Sequence, residues 1–494
     1  MNYLIGIDVG TSSTKTVLYD ENLNEVFISN YEYPLYQPKN GWAEQDPNDW
    51  SKALIYTIKD IVNNSMVNID DICGIGITGQ MHGLVMLDYD NNVIRPSIIW
   101  ADQRTSLECL EITNKIGKDK LVEITANPAL PGFTASKIMW IKNNEPQNYA
   151  KCKKILLPKD YIRFIMSGVF ATDVTDASGM QLLDVPNRKW SKEILNLLNI
   201  DINLLPKVYE SNEIVGYTSN QFYELTGLKE GIPIIAGAGD NAAAAIGMGV
   251  FKEGEAFTTI GTSGVVFAPV DKPIIDKKGR VHTFCAALPN TWHVMGVTQA
   301  AGLSLSYIKN LFFENKTFSE ITLELDKIDI GADKLIYLPY LMGERTPHLD
   351  SNCRGVYFGI SAKHTKNHFL RSTIEGISYS LKNCLDVIDE IGININEMKL
   401  TGGGSKNKVW SKMLADIFDK NILILNSSGT TLGVALLVAD KLRLIKLNNY
   451  FIDNKLREKY IPEKMNNIKY MKVYEIYNDL YINLKDNFEK LSKL

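Results

Sequence analysis

Apolar runs short enough for strands alternate along this chain with small-residue turns and longer amphipathic stretches, and that alternation recurs in two halves. Residues 3–10 (YLIGIDVG) form a predicted buried strand interrupted by one acid, Asp8, and a Thr/Ser turn leads to a second strand over 15–19. A turn at 20–24 and a third strand over 25–33 complete a β-meander. Pro47 opens a predicted helix to about residue 64, and the strand 72–78 runs straight into GQMHG (79–83). Residues 106–126 and 135–165 read as helices, and 172–179 (TDVTDASG) as a polar loop dense in capping residues. The apolar run that starts at Ile232 ends in Ala236 to Gly239. Asp240 and Asn241 follow, and then an alanine-rich helix begins.

The second half repeats the device. Residues 255–269 (EAFTTIGTSGVVFAP) read as strand, GTSG hairpin, strand, with a further strand over 292–296. Helices over 299–314 and 365–389 and a strand over 397–401 lead to the triple glycine of TGGGSKNK, which opens another helix. Residues 447–494 read as a closing connection and an amphipathic helix. The paired GTS hairpins at Gly10 and Gly261 predict two related α/β domains with a cleft between them, divided at 1–246 and 247–494.

The 494 residues, 45% hydrophobic and 22% charged, suit a soluble globular chain. A formal net charge of −4 argues against general nucleic-acid binding but leaves room for a locally held nucleotide. Six scattered cysteines without a C-x-x-C pair point to a reducing compartment. With no basic-then-apolar leader and no membrane-length apolar run, the expected location is cytoplasmic, with no membrane partner.

Candidate chemistry gathers at a few points. Asp8 is a carboxylate on a core strand, costly there unless paired or metal-bound. His82 lies between glycines at the end of a parallel-type strand, where ligand groups commonly lie. Asp240 reads either as a helix cap or as an acid facing a neutral, hydroxyl-bearing substrate. At a helix N-terminus its pKa is expected to be lowered. Gly237 and Gly239 beside it suggest room for a molecule to approach the backbone. GAGDNA also fits a dinucleotide fingerprint, but Asp240 would then oppose the pyrophosphate as a like charge. GTSSTKT lacks the P-loop glycine at Thr14 and has no helix after it. Asp102 and Arg104 form an ion pair or a pocket wall. Glu344, Arg345 and His348 shape a site or pair among themselves, and His364 and His368, four apart, lack a third ligand.

As a set, GIDVGTSSTK, GWAEQDPNDW, GQMHG, LPKDY, AGAGDNAAAAIG, IGTSG, GERTPH and GGGSKN resemble the FGGY carbohydrate kinases, in order and over residues 3 to about 440. The resemblance is strongest to the members that act on D-xylulose. It implies two actin-like ATPase domains with ribonuclease-H-like cores and magnesium-ATP-dependent phosphorylation of D-xylulose at its terminal hydroxyl. It further implies Asp240 as general base, Asp8 on the magnesium side, and Met81, His82, Asp240 and Asn241 against the sugar. Thr11, Ser12 and Ser13, with Gly261, Thr262 and Ser263, resemble phosphate-binding hairpins, and Gly403, Gly404 and Asn407 an adenosine site. Glycerol kinases of the family carry Arg-Glu where this chain has Met81-His82, which favours a ketopentose. The chain departs from the family at Ala101, where Asn is common, and at Ser427-Ser-Gly-Thr-Thr, where an acidic-Gly-Ala turn is usual. The alternatives are a kinase for another ketose or polyol and a non-catalytic sensor on this fold. A homodimer is compatible with the family.

Overall fold

The computed structural model describes residues 2–323, 325–426, 429–451 and 456–494. Two seven-stranded sheets organise the chain. In the first, the spatial order is Ile214–Tyr217, Pro233–Ile235, Ile72–Gly79, Tyr3–Val9, Ser13–Tyr19 and Glu25–Glu32, with Ala238–Gly239 also paired to Ile72–Gly79. The second runs His282–Cys285, Trp292–Thr298, Gly264–Val270, Glu255–Ile260, Glu397–Gly402, Asn421–Leu425 and Leu456–Tyr460.

Both sheets share one plan. A three-strand antiparallel meander pairs its first strand, in parallel, with a strand that comes much later: Tyr3–Val9 with Ile72–Gly79, and Glu255–Ile260 with Glu397–Gly402. A tight hairpin makes the first antiparallel join of each sheet, the partner of Gly264–Val270 on its other side arrives only after strand His282–Cys285, and the parallel joins need long crossovers, here carrying helices. The hairpins are alike but one residue different in length, with Gly10 N–H donating to Ser13 O at 3.0 Å and Gly261 N–H to Ser263 O at 3.0 Å. The echo of the two GTS motifs is therefore structural.

Several expected elements differ. The span 135–165 is cut by Pro146 and Pro158 into helices Thr134–Asn144, Pro146–Lys151 and Pro158–Ser167, with strand Lys154–Leu156 between the last two. Proline removes an N–H and clashes with the preceding turn, so each one starts a helix instead of continuing it. The span 106–126 breaks at Gly117, where φ is 88°. TDVTDASG is not a surface loop. Asp173 ends strand Ala171–Asp173 and caps helix Val174–Gly179, and the whole segment is buried. The connection 447–494 contributes strand Leu456–Tyr460 to the second sheet before its helix, Lys464–Leu491. Among the described residues no helix is long and apolar enough to cross a membrane.

Helix Thr430–Lys441 belongs in sequence to the second half, yet it crosses the line drawn at 246/247 and packs on the first sheet. It meets strands Tyr3–Val9 and Ile72–Gly79 through glycine: a Cβ at Gly6 would overlap the Thr431 carbonyl, and one at Gly76 the Val434 carbonyl. Against helix Asp240–Gly247 the approach is equally close. A Cβ on Gly433 would overlap the Ala243 carbonyl, and one on Gly247 the Gly429 carbonyl. Gly433→Ala is expected to lower stability by roughly 1–3 kcal/mol, as over-packing of a tight contact does. Urea unfolding followed by circular dichroism checks this, and an unchanged midpoint would mean that the two helices slide apart freely.

Candidate active site

Three element ends converge beside that crossing. Asp8 lies on strand Tyr3–Val9, Thr430 opens helix Thr430–Lys441, and Asp240 opens helix Asp240–Gly247. Thr430 Oγ1 donates to Asp8 Oδ2 at 2.5 Å. Thr430 falls in the departing turn of the sequence; Ser427 and Ser428 of that turn lie outside the described residues.

Asp240 is not the helix cap. The N-cap position is Gly239, with no side-chain capping bond, and Asp240 is the first helical residue. Its Oδ1 accepts from the Asn241 backbone at 2.7 Å and from Asn241 Nδ2 at 2.9 Å, which leaves Oδ2 without a partner among the described residues. Burial, with the charge of Asp8 second, pushes its pKa up to about 6, although the two Asn241 bonds pull the other way. The expected lowering by the helix dipole is thus overruled. A dipole contributes only ~0.3–1 kcal/mol, less than desolvation beside a like charge. Burial also raises the Asp8 pKa, against the pull of Thr430 and Lys15.

The backbone ahead of Asp240 is anchored from below. Gly239 N–H donates to Thr175 Oγ1 at 2.8 Å, and Thr175 Oγ1 donates to Asp173 Oδ2 at 2.6 Å. Lys159 Nζ lies 2.8 Å from Asp160, 3.0 Å from Asp173 and 3.2 Å from Asp176, while Arg163 meets Asp160 at 3.0 Å. All five ionic side chains are buried. Sequence reading missed this cluster, although LPKDY and the acid spacing in TDVTDASG carried its signal.

Met81 and His82 sit on the other side of Gly239. A Cβ at Gly239 would come within 2.8 Å of Met81 Cγ, and one at Gly179 within 2.5 Å of His82 Cε1. A Cβ at Gly237 would overlap the Ile77 carbonyl. Gly237 and Gly239 therefore serve close packing inside the protein, not the approach of a ligand to the backbone. His82 adopts φ 70°, and its carbonyl is held by Lys137 Nζ at 2.8 Å and Thr134 Oγ1 at 3.1 Å. Its ring lies 4.9 Å from that of Phe133. Burial, reinforced by the Lys137 charge, lowers its pKa to about 3, so the imidazole is neutral. Its Nδ1 faces the Gly179 carbonyl oxygen at 2.8 Å and must be the protonated nitrogen. Nε2 then carries a lone pair, so His82 offers this site an acceptor.

Both hairpins are braced. Gln45 Nε2 donates to Thr11 O at 2.6 Å, Tyr33 O–H to Gly10 O at 2.5 Å, and Trp100 Nε1 to Thr11 Oγ1 at 3.0 Å. In the second, Gly302 N–H donates to Gly261 O at 2.8 Å and Leu303 N–H to Thr262 O at 3.1 Å. Carbonyls are consumed, while the backbone N–H groups of Thr11, Ser12, Thr262 and Ser263 find no protein acceptor among the described residues. In the triple glycine, Gly402 (φ 85°) and Gly404 pack on Ile260, and Gly403 is exposed. The Asn407 side chain accepts from Trp410 N–H at 2.8 Å and caps helix Lys408–Phe418.

The remaining candidates divide. Arg104 Nη2 meets Asp102 at 2.7 Å and Nη1 meets Glu44 at 2.7 Å, with the guanidinium 3.5 Å over the Trp42 ring, so this is an ion pair. His368 closes a capping box with Thr365. Glu344 and His348 find partners elsewhere, and the Arg345 guanidinium finds none among the described residues. Among the described residues no three His, Cys, Asp or Glu side chains gather closely enough to hold a metal ion.

Comparison with known proteins agrees with this geometry. Residues 3–247 match the N-terminal domain, and 256–440 the C-terminal domain, of the FGGY family of carbohydrate kinases. The chain is 40% identical to a xylulose kinase of Bacillus subtilis (strain 168), covering 98% of each. It superposes on a xyloylose kinase from Brucella ovis with a TM-score of 0.91 at 32% identity, covering 98% of this chain and 100% of the other. A gluconate kinase from Lactobacillus acidophilus gives a TM-score of 0.94 at 28% identity, covering 99% of both. With two like sheets, paired GTS hairpins and this full-length similarity, the chain belongs to the FGGY family of carbohydrate kinases, enzymes of actin-like fold that use ATP.

Proposed function

We propose that this enzyme phosphorylates D-xylulose at its terminal hydroxyl, with ATP as donor, to give D-xylulose 5-phosphate. The observation that carries the reading is Asp240: a carboxylate with one unshared oxygen and a pKa near 6, next to Gly239, which packs on Met81. The relatives named above extend the reading to this sugar. The gluconate kinase neighbour favours a second reading, a kinase for another sugar or sugar acid.

Phosphoryl transfer relies on positioning and on neutralising charge. Asp240 Oδ2 holds the attacking hydroxyl and accepts its proton, and Asn241 fixes the carboxylate through Oδ1. His82 Nε2 accepts from a second hydroxyl, and Met81 supplies the apolar wall beside it. The free N–H groups of Thr11, Ser12, Thr262 and Ser263, within the hairpins Thr11–Ser13 and Gly261–Ser263, donate to the phosphates. Gly403, exposed, and Gly404 offer a flat face for adenosine, with Asn407 at its edge.

Asp8 fits a magnesium ion that arrives with the nucleotide. It is a desolvated carboxylate with one oxygen free of protein partners among the described residues, and magnesium is usually held by one or two carboxylates plus phosphates and water. Such an ion neutralises charge on the transferring phosphates.

Coupled ADP-release assays should show sugar-dependent turnover with D-xylulose, and Asp240→Asn should lower kcat ~10²–10⁴-fold, the range of a lost general base. Turnover with no sugar in a panel containing D-xylulose and D-gluconate would sink the reading.

The same substitution has a stability signature. The folded-state pKa of Asp240 lies above the ordinary 3.8, so the folded protein holds this proton more tightly than the unfolded chain. That contribution is complete below about pH 3.8 and is lost as pH rises through about 6. Asp240→Asn should therefore melt higher than wild type at pH 7 to 8, with the gap closing towards pH 4. A lower melting temperature at pH 7 would return Asp240 to a structural role.

His82→Ala should raise the KM for D-xylulose tenfold or more and leave the KM for ATP within about twofold, since it removes an acceptor from the sugar alone. Equal changes in both would take His82 out of the sugar pocket.

A further inference from the structure

The GERTPH loop holds four polar side chains, and three of them are engaged, Thr346 by donating to the Arg280 carbonyl at 2.7 Å and accepting from Val297 N–H at 3.1 Å. Glu344 accepts from Thr298 Oγ1 at 2.6 Å, from Gln299 N–H at 3.0 Å and from Ser380 Oγ at 3.0 Å. His348 lies 3.1 Å from Tyr340 Oη and stacks on Tyr481, centroids 3.5 Å apart. Between them, the Arg345 guanidinium has no carboxylate, carbonyl or hydroxyl partner among the described residues. Only its backbone is used, the N–H donating to Glu344 Oε1 at 2.7 Å and the carbonyl accepting from Leu349 N–H at 2.6 Å.

The side chain is only partly buried, burial lowers its pKa, and its five donors are fixed in one plane. Its surroundings are those of the sugar site. Arg345 extends from the second half to the first, where Nη2 lies 3.8 Å from the position of a Cβ on Gly132. Gly132 precedes Phe133, whose ring lies 4.9 Å from that of His82, tilted by 33°. Its charge is felt at His82 and at His282, whose Nδ1 is occupied by Asn127 Oδ1 at 2.8 Å.

These neighbours are chemically complementary. His82 has committed Nδ1–H to Gly179 and can only accept, whereas Arg345 can only donate. A donor-only group beside an acceptor-only group matches a hydroxyl next to a carbonyl oxygen. The C1–C2 end of a 2-ketose, HO–CH2–C(=O)–, has that pair, at the opposite end from the hydroxyl assigned to Asp240. We propose that Arg345 is a specificity-determining residue that donates to the C2 oxygen of the ketose while His82 accepts from a neighbouring hydroxyl. This deepens the pentulose-kinase reading and rests on it.

The test crosses one substitution with one missing atom. Binding of D-xylulose and of the 2-deoxy pentitol with the same configuration at C3 and C4, which has no oxygen at C2, is measured by calorimetry for wild type, Arg345→Gln and Arg345→Lys. A hydrogen bond to a charged group corresponds to about 10–100-fold in affinity. Arg345→Gln should weaken D-xylulose by that factor and the 2-deoxy compound by less than about threefold, with Arg345→Lys between. Without sugar, the Gln variant should melt no lower than wild type, because the guanidinium removed makes no hydrogen bond or ion pair to the described residues. Equal weakening of both ligands, a change in kcat alone, or a lowered melting temperature would each overturn the assignment. D-Gluconate as the preferred wild-type substrate, lost on Arg345→Gln, would overturn the pentulose reading too, by assigning Arg345 to a carboxylate. Wild-type turnover of D-xylulose without this discrimination would overturn the Arg345 assignment alone.

Discussion

Backbone packed on backbone at the crossing of helices Asp240–Gly247 and Thr430–Lys441 is the constraint on which the rest of the structure depends. Gly433 meets the Ala243 carbonyl, Gly247 the Gly429 carbonyl, and Gly6 and Gly76 the carbonyls of Thr431 and Val434. No side chain separates these elements, so their spacing is set by peptide groups that cannot change rotamer. Asp240 and Thr430 are the first residues of the two helices, and Asp8 lies on the strand beneath. A core of interdigitated leucines would hold the same elements together but would let their ends drift as side chains repack. Here the positions of two carboxylates and one hydroxyl follow directly from the chain path.

That rigidity opposes an electrostatic cost. Two aspartates withdrawn from water near one another repel, and each resists ionisation. The protein eases this with few bonds: Thr430 on Asp8, and Asn241 on Asp240. Satisfying every oxygen would lower both pKa values and remove the free lone pairs a substrate needs. The buried cluster of Lys159, Arg163, Asp160, Asp173 and Asp176 follows the opposite rule, with cations and anions interleaved at 2.8 to 3.2 Å. Its link to the site passes through Thr175 to the Gly239 N–H, a backbone connection that holds position without adding charge to Asp240.

Fold and site were legible in the sequence wherever a single stretch carries the signal. Alternation and hairpin glycines marked the two meanders, and Asp8 and Asp240 stood out as acids among apolar and small residues. What stayed hidden depends on distant partners. Nothing near Asp240 reveals that Asp8 lies close enough to add to its rise in pKa, so a local dipole argument gave the wrong sign. TDVTDASG looked like a loop because its acids are polar; they are buried only because Lys159 and Arg163 come from another helix. The glycines at 237 and 239 suggested ligand access, when the atoms they make room for belong to Ile77 and Met81. GERTPH was noticed, but which of its members lacks a partner depends on Thr298, Ser380 and Tyr481, all far from it in sequence, as well as on Tyr340 just ahead of it.

The duplicated fold gives each half a GTS hairpin and leaves Asp8, Thr430 and Asp240 together at their join. Any rotation of one half against the other about the glycine crossing displaces atoms in proportion to their distance from it. Asp8, Thr430 and Asp240, at the ends of the crossing elements, move little. Arg345 and the hairpin Gly261–Ser263, carried by the second half, move more with respect to Met81 and His82. A cleft built this way can close on its ligands and exclude water, the competing acceptor, without disturbing the base. His82 lies on one wall and Arg345 on the other, so a ligand that engaged both would favour the closed arrangement through differential binding alone.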